Sequence, residues 1–390
     1  MTDRPKIAIE RLHPTIAGES LDQLALRLKM YRTSNSLIRN WEQGVPGYWL
    51  DELISDWQAF DTAEMQTNLD ALNHFQAHID DLKIHLVVET GRGPSPLPII
   101  LTHGWPSSFM EYLKLLPLLV DPESFGGDPN DSFTVVIPSL PGFGYSSRPP
   151  EDGLTHADIA KVWQRLMVDG LGFAKFVAHG SDLGAGVTAQ LARIFPEFAS
   201  AIHLATPAVP RPPEPWSETT IQHFREIDDW IAEEGGYMHM HSTKPSTLSS
   251  ALRDSPIGLA AWIGEKIVAW SDLDEIGQST YDRELLLSTL TLYWTTDTIH
   301  SSFLPYWRFR HNPGSGLIAD RDEPTPTAIS VFGGEVVPFA KLPRDLASRF
   351  FNVSHWFEHE RGGHFPAVAE PALLAETLRE VFRPIRESRM

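Results

Sequence analysis

Residues 179–184 read His-Gly-Ser-Asp-Leu-Gly, with Gly180 and Gly184 standing two positions either side of Asp182. A strand-like run, "KFVAH", leads into this stretch, and a helix-like run, "LGAGVTAQLARIF", leads out of it. Small residues at those two offsets permit a tight strand–turn–helix elbow whose central side chain is lifted clear of the backbone. The side chain so lifted is a carboxylate. Ser181 does not compete for the role, because its own neighbours two positions away are His179 and Leu183, both too large for the turn. An aspartate helix cap would account for Asp182 alone, but not for the paired glycines and the strand before them. Aspartate is ionised well below neutral pH, with a reference pKa of about 3.9, and the start of a helix favours that anion. As a nucleophile it is too weak for amides. It suits displacement at an sp3 carbon with a strained or good leaving group, which would leave an ester on the protein.

Such an ester has to be hydrolysed, and that step requires a base for water and an acid to orient the base. "ERGGHFPA" supplies His364 in a glycine-rich loop, and "VFGGEVVP" supplies Glu335 after a strand-like run. Either residue alone would read as an ordinary solvated loop side chain. The chain order Asp182, Glu335, His364 is the nucleophile–acid–histidine order of α/β-hydrolases. "LTHGWP" (101–106) follows another strand and is similar to the oxyanion loop of that fold. The expected oxyanion donors are the backbone amides of Trp105 and Leu183, which would stabilise the tetrahedral intermediate of ester hydrolysis.

Two histidine clusters point to metal only formally. "HWFEH" (355–359) matches a zinc-peptidase pattern, but that pattern belongs on a helix, and here it follows the strand-like "FFNVS". "HMH" (239–241) is no stronger. The expectation is therefore a site with no metal and no cofactor.

These residues need elements to carry them. From Leu82 onward, short runs rich in Val and Ile ("LKIHLVVET", "LPIILTHG", "SFTVVIPSL", "KFVAHGSD", "SAIHLATP") alternate with helical patterns at 108–120, 155–171 and 185–195. That alternation predicts a mostly parallel sheet covered on both faces. It stops at the proline-dense "TPAVPRPPEPW", and strand texture returns at "TAISVFGG" and "FFNVSHWF", before a final helix near 371–385. The expected organisation is an N-terminal helical meander over 1–81, a first part of an α/β-hydrolase core over 82–208, a helical lid over 209–325, and a second part of the core over 326–390. In the meander, "SLDQLALRLKMY", "YWLDELISDWQAF" and "MQTNLDALNHFQAHI" all read as helices.

The chain has 390 residues, 42% of them apolar, so it can bury a large core. With 32 basic and 51 acidic residues it carries a net charge of −19, which argues against nucleic acid or an anionic membrane surface as a partner. No cysteine is present, which excludes disulfides and thiolate metal sites. No run of about 18 apolar residues suggests a membrane helix. The expectation is a soluble cytoplasmic protein.

With these residues in place, the sequence strongly resembles the microsomal-type epoxide hydrolases along nearly its whole length. "LNHFQAHIDDLKIHLVV", "HGWPSSFMEYLKLLPLL", "PSLPGFGYSS", "GYMHMHSTKPSTLSSALRDSPIGLAAWIGEK" and "YWTTDTIHSS" carry the likeness. The resemblance implies a small epoxide and water as reactants, a vicinal diol as product, and two lid tyrosines that donate to the epoxide oxygen. By residue matching these are Tyr237 and Tyr306. A phenol with a reference pKa of about 10 stays protonated at neutral pH and can donate to an incipient alkoxide. Tyr293 and Tyr145 read as packed aromatics instead. Many members have tryptophan after the nucleophile, whereas Leu183 stands there in this chain; a backbone donor survives that change, which bears instead on pocket shape and therefore on substrate range. A homodimer is a further expectation. The rival readings are a haloalkane dehalogenase and a catalytically silent ligand-binding member of the fold.

Overall fold

The computed structural model of the chain describes residues 7–387 except 17, 34–37, 274–278, 313–319 and 321–323. Its centre is a sheet of strands β1 (Ala8–Arg11), β2 (His74–Ile79), β3 (Leu82–Glu89), β4 (Leu97–Thr102), β5 (Phe133–Pro138), β6 (Phe176–Gly180), β7 (Ala199–Leu204), β8 (Pro326–Phe332) and β9 (Asn352–His359). Their order is β1-β2-β3-β5-β4-β6-β7-β8-β9. The first three strands and the β3–β5 pair run antiparallel, and every pairing from β5 through β9 is parallel. Strands β4, β5 and β6 are buried at every position. This is why "LPIILT" and "FTVVIP" show no polar alternation: both faces of a parallel sheet are covered.

The pleat sorts those runs into two cores. Ile100, Val136 and Ala178 point to one face, while Ile99, Leu101, Val135, Ile137 and Val177 point to the other. Around the sheet lie α1 (Gly18–Lys29), α2 (Gly47–Ala59), α3 (Thr62–Asp70), α4 (Leu116–Val120), α5 (His156–Arg165) and α6 (Leu183–Ile194). Among the described residues, six helices then separate β7 from β8: α7 (Glu218–Glu234), α8 (Gly236–Thr243), α9 (Pro245–Asp254), α10 (Pro256–Trp270), α11 (Arg283–Thr296) and α12 (Ile299–His311). The chain closes with α13 (Arg344–Ala347), α14 (Pro366–Ala369) and α15 (Pro371–Glu387). Helices α5 and α6 pack together on the first core, and α15 seals the second through Leu374, Leu378, Val381 and Phe382. The architecture is the expected α/β-hydrolase fold with a helical insertion.

The N-terminal segment differs from its helical reading. "MQTNLDALNHFQAHI" breaks into α3 and the strand β2, and β1 adds a further edge strand. The side chain of Asn73 and its backbone N–H both donate to Glu89, each at 2.8 Å, pulling the chain onto β3. Pairing along β3 then overrides the local helical period. The pattern at 108–120 resolves into a 3-10 turn over Phe109–Tyr112 followed by the short α4.

The same segment straps the inserted helices. Helix α1 packs on α10 and α11, and α2 packs on α10. The indole of Trp57 donates to Thr291 Oγ1 at 2.9 Å, and that of Trp294 donates to the Ser20 carbonyl at 3.0 Å. Arg27 pairs with Asp254, and Arg283 with Asp56, each at 2.8 Å. Among the described residues no helix is long and apolar enough to cross a membrane.

Candidate active site

Strand β6 ends at Gly180 and α6 begins at Leu183, so Asp182 sits at the tip of the turn between them. Its backbone has φ 51° and ψ −124°, and its side chain caps nothing on α6. A non-glycine residue held at positive φ typically costs about 1–3 kcal/mol, which the surrounding packing must offset. The turn closes because its flanks lack side chains. A Cβ on Gly184 would stand 1.9 Å from the Thr102 carbonyl oxygen, and one on Gly180 would stand 2.2 Å from that of Gly184. The backbone N–H of Asp182 donates to Thr206 Oγ1, just past β7.

The loop after β4 reaches the same point. The Trp105 N–H donates to Asp182 Oδ1 at 2.8 Å. Gly104 permits this approach, since a Cβ there would fall 2.2 Å from that same oxygen. The other carboxylate oxygen, Oδ2, lies 3.2 Å from His364 Nε2, and His364 Nδ1 lies 3.0 Å from Glu335 Oε2. Glu335 follows β8 and is buried, and its Oε1 accepts the Val337 N–H at 2.8 Å. The His364 N–H donates to the Trp270 carbonyl at 3.1 Å, and the Gly362 N–H to Asp272 Oδ2 at 2.9 Å. The end of α10 and the residues just after it thereby hold the histidine loop.

The charges around His364 decide its state. Burial pushes its pKa down, but Glu335 and then Asp182 outweigh burial, and the imidazole is pushed up to about 10. The resting site is an imidazolium between two carboxylates. Asp182 keeps 21% of its side-chain surface, enough for a reactant to reach it.

Helix α8 brings Tyr237 and α12 brings Tyr306 over this carboxylate. The Tyr237 ring stacks on Trp105 with centroids 5.4 Å apart, and Tyr306 meets Tyr237 edge-on at 6.1 Å. Loss of surrounding water raises both phenol pKa values well above the usual range, and the negative charge of Asp182 adds to the rise in each. Both hydroxyls therefore stay protonated and lie in the field of the carboxylate. Tyr293 is packed, and its hydroxyl donates to the Ser107 carbonyl at 3.2 Å.

Asp182, Glu335, His364, Tyr237, Tyr306 and the Trp105 amide converge on one locus, with Leu183 opening α6 beside them. His355 and His359 instead lie on β9, four strand residues or about 13 Å apart. No group able to hold a metal ion occurs among the described residues. Three neighbours left no readable signal in the sequence: Thr206 behind the elbow, Asp272 under the histidine loop, and Glu111. Glu111 lies buried beneath the nucleophile, and Ser181 Oγ donates to its Oε1 at 3.0 Å.

Comparison with known proteins gives the family and the fold. A family model described as "Epoxide hydrolase N terminus" matches residues 9–112, and one described as "alpha/beta hydrolase fold" matches 98–233. "Epoxide hydrolase 1" of Sus scrofa is 31% identical over 397 residues, covering 93% of this chain and 86% of that protein. The chain belongs to the epoxide hydrolase family. Solved epoxide hydrolases overlay along nearly its full length. The Aspergillus niger epoxide hydrolase matches with a TM-score of 0.83 at 28% identity, covering 97% of each chain. The juvenile hormone epoxide hydrolase of Bombyx mori gives 0.81 at 25% identity, covering 98% of this chain and 95% of that one.

Proposed function

We propose that Asp182 is the nucleophile of this epoxide hydrolase and that the reaction runs in two halves through an Asp182 ester. The enzyme adds water to an epoxide and releases a vicinal diol. In the first half, Asp182 Oδ2 attacks a ring carbon from the face opposite the C–O bond. The bonding pair moves onto the ring oxygen, which takes a proton from Tyr237 or Tyr306. In the second half, His364 removes a proton from water as it adds to the ester carbonyl. The Trp105 and Leu183 amides bear the resulting oxyanion, and the tetrahedral species collapses to free the diol. The proton that His364 carries at rest passes through solvent to the tyrosinate left by ring opening, which frees the base. The proton it then takes from water goes to the departing alkoxide, and the acid left on Asp182 returns its proton to His364.

One observation carries the reading. The two oxygens of Asp182 face different partners, Oδ1 the Trp105 amide and Oδ2 the histidine. Oδ1 is thus set to become the ester carbonyl, and Oδ2 is left to form the carbon bond. Esterification also removes one of the two charges that hold His364 protonated, so the base becomes available only when it is needed. A departing halide would gain no side-chain donor from Leu183, whereas the paired phenols suit an alkoxide. The test is to incubate the purified enzyme with styrene oxide and, separately, 1-chlorobutane. Phenylethanediol without chloride release is expected; chloride release without diol would overturn the assignment to epoxides.

A further inference from the structure

Glu111 has no part in that mechanism, yet it is a buried carboxylate next to the nucleophile and only 2% exposed. Burying such a group is costly unless its hydrogen bonds serve a purpose. It lies on the 3-10 turn Phe109–Tyr112, six residues beyond Trp105 on the same stretch of chain. Its Oε1 accepts from Ser181 Oγ at 3.0 Å, and Ser181 is the residue immediately before Asp182. The adjacent Tyr112 hydroxyl donates to the Thr102 carbonyl at 2.8 Å and lies 3.4 Å from Ser181 Oγ. The Ser181 N–H also meets that Thr102 carbonyl, at 3.3 Å. The two loops that must face each other, the oxyanion loop and the elbow, are thus joined behind the carboxylate as well as in front of it.

We propose that Glu111 is a positioning residue: its bond to Ser181 holds the Trp105 amide in register with the Asp182 carbonyl during ester hydrolysis. The inference rests on the covalent reading above. Burial pushes the Glu111 carboxyl up to about 7, so near neutral pH it is poised between acid and anion, and an oxygen acceptor for Ser181 is present in both forms. The tether needs the acceptor rather than the charge, and glutamine should supply it.

The role predicts an effect confined to one step. An oxyanion donor lowers the barrier to the tetrahedral intermediate, and misplacing it is felt there. Alkylation consumes the negative charge of Asp182 and gains nothing from that donor. Rapid-quench mass spectrometry with styrene oxide resolves formation and decay of the alkyl-enzyme. Glu111→Ala should alkylate within about twofold of wild type but hydrolyse at least about tenfold more slowly, so that the ester accumulates. Glu111→Gln should restore hydrolysis to within about threefold of wild type. Ser181→Ala removes the same bond from its other end and should show the same selective defect, which keeps the test decisive if Glu111→Ala does not fold. Equal slowing of both steps, or unchanged hydrolysis in Ser181→Ala, would overturn the role of Glu111. Failure of wild type itself to form an ester would instead overturn the covalent reading.

Discussion

His364 stands 3.2 Å from Asp182 Oδ2, and this pair links the two halves of the proposed reaction. The same imidazole is tied to Glu335 at 3.0 Å, so it remains oriented after Asp182 has been consumed.

The first consequence concerns division of labour. Asp182 needs no base to attack carbon, whereas its ester needs one to be hydrolysed. His364→Gln should therefore alkylate and then stall, with hydrolysis falling by about a hundredfold or more. Intact-mass measurement should find an adduct equal to the whole epoxide, mapping to the peptide containing Asp182. Turnover at the wild-type rate without an adduct would remove His364 from the mechanism.

Tyr237 and Tyr306 should act on the opposite half. Either change to Phe removes one donor from the developing alkoxide, and up to about a hundredfold to a thousandfold in alkylation rate is the expected loss. The double variant should hardly alkylate. Stopped-flow measurement of the first step is the check, and an unchanged alkylation rate in the double variant would exclude both phenols.

Charge coupling between Asp182 and His364 has a direct readout. The His364 pKa is pushed up to about 10 in the free enzyme, with Asp182 contributing part of the rise. Asp182→Asn should lower it, and NMR titration of the imidazole nitrogens would measure the change. The stability supplied by the ionised site is fully present below the unfolded histidine value of about 6.5 and is lost as pH rises toward the folded value. Alkaline pH should therefore destabilise wild type more than Asp182→Asn in denaturant melts.

Other histidines act in the opposite sense. Burial lowers His103 and His156 to about 4 and His179 to about 3. Between those values and about 6.5 the unfolded chain binds protons that the folded one does not, so stability falls as pH falls. Each such residue costs about 1.4 kcal/mol per pH unit within that window. Denaturant melts from pH 7 to pH 5 should show a loss of several kcal/mol; a flat profile would contradict the burial of these rings as neutral groups.

Much of the site was legible because its geometry depends on backbone features that sequence records. Gly180, Gly184 and the strand before them mark the elbow, and the order Asp182, Glu335, His364 follows the strand ends. The tyrosines could be named only through resemblance, since nothing in the local sequence distinguishes Tyr237 and Tyr306 from Tyr293. Glu111 and Thr206 left no signal. Their roles arise from contacts across the sheet, 70 and 24 residues from the partners they hold. The strand β2 was hidden by a helical hydrophobic period, and its pairing with β1 and β3 makes it extended.

Covalent attack by Asp182 is the central claim, and the origin of the oxygen in the diol tests it most directly. One turnover of wild-type enzyme in excess over an epoxide, run in 18O water, should give a diol with no label. The 18O should reside in the Asp182 carboxylate, where peptide mass spectrometry would find it, and should reach diol only in later turnovers. Label in the diol of the first turnover, with none in the Asp182 peptide, would mean that water attacks the ring directly and would contradict the account.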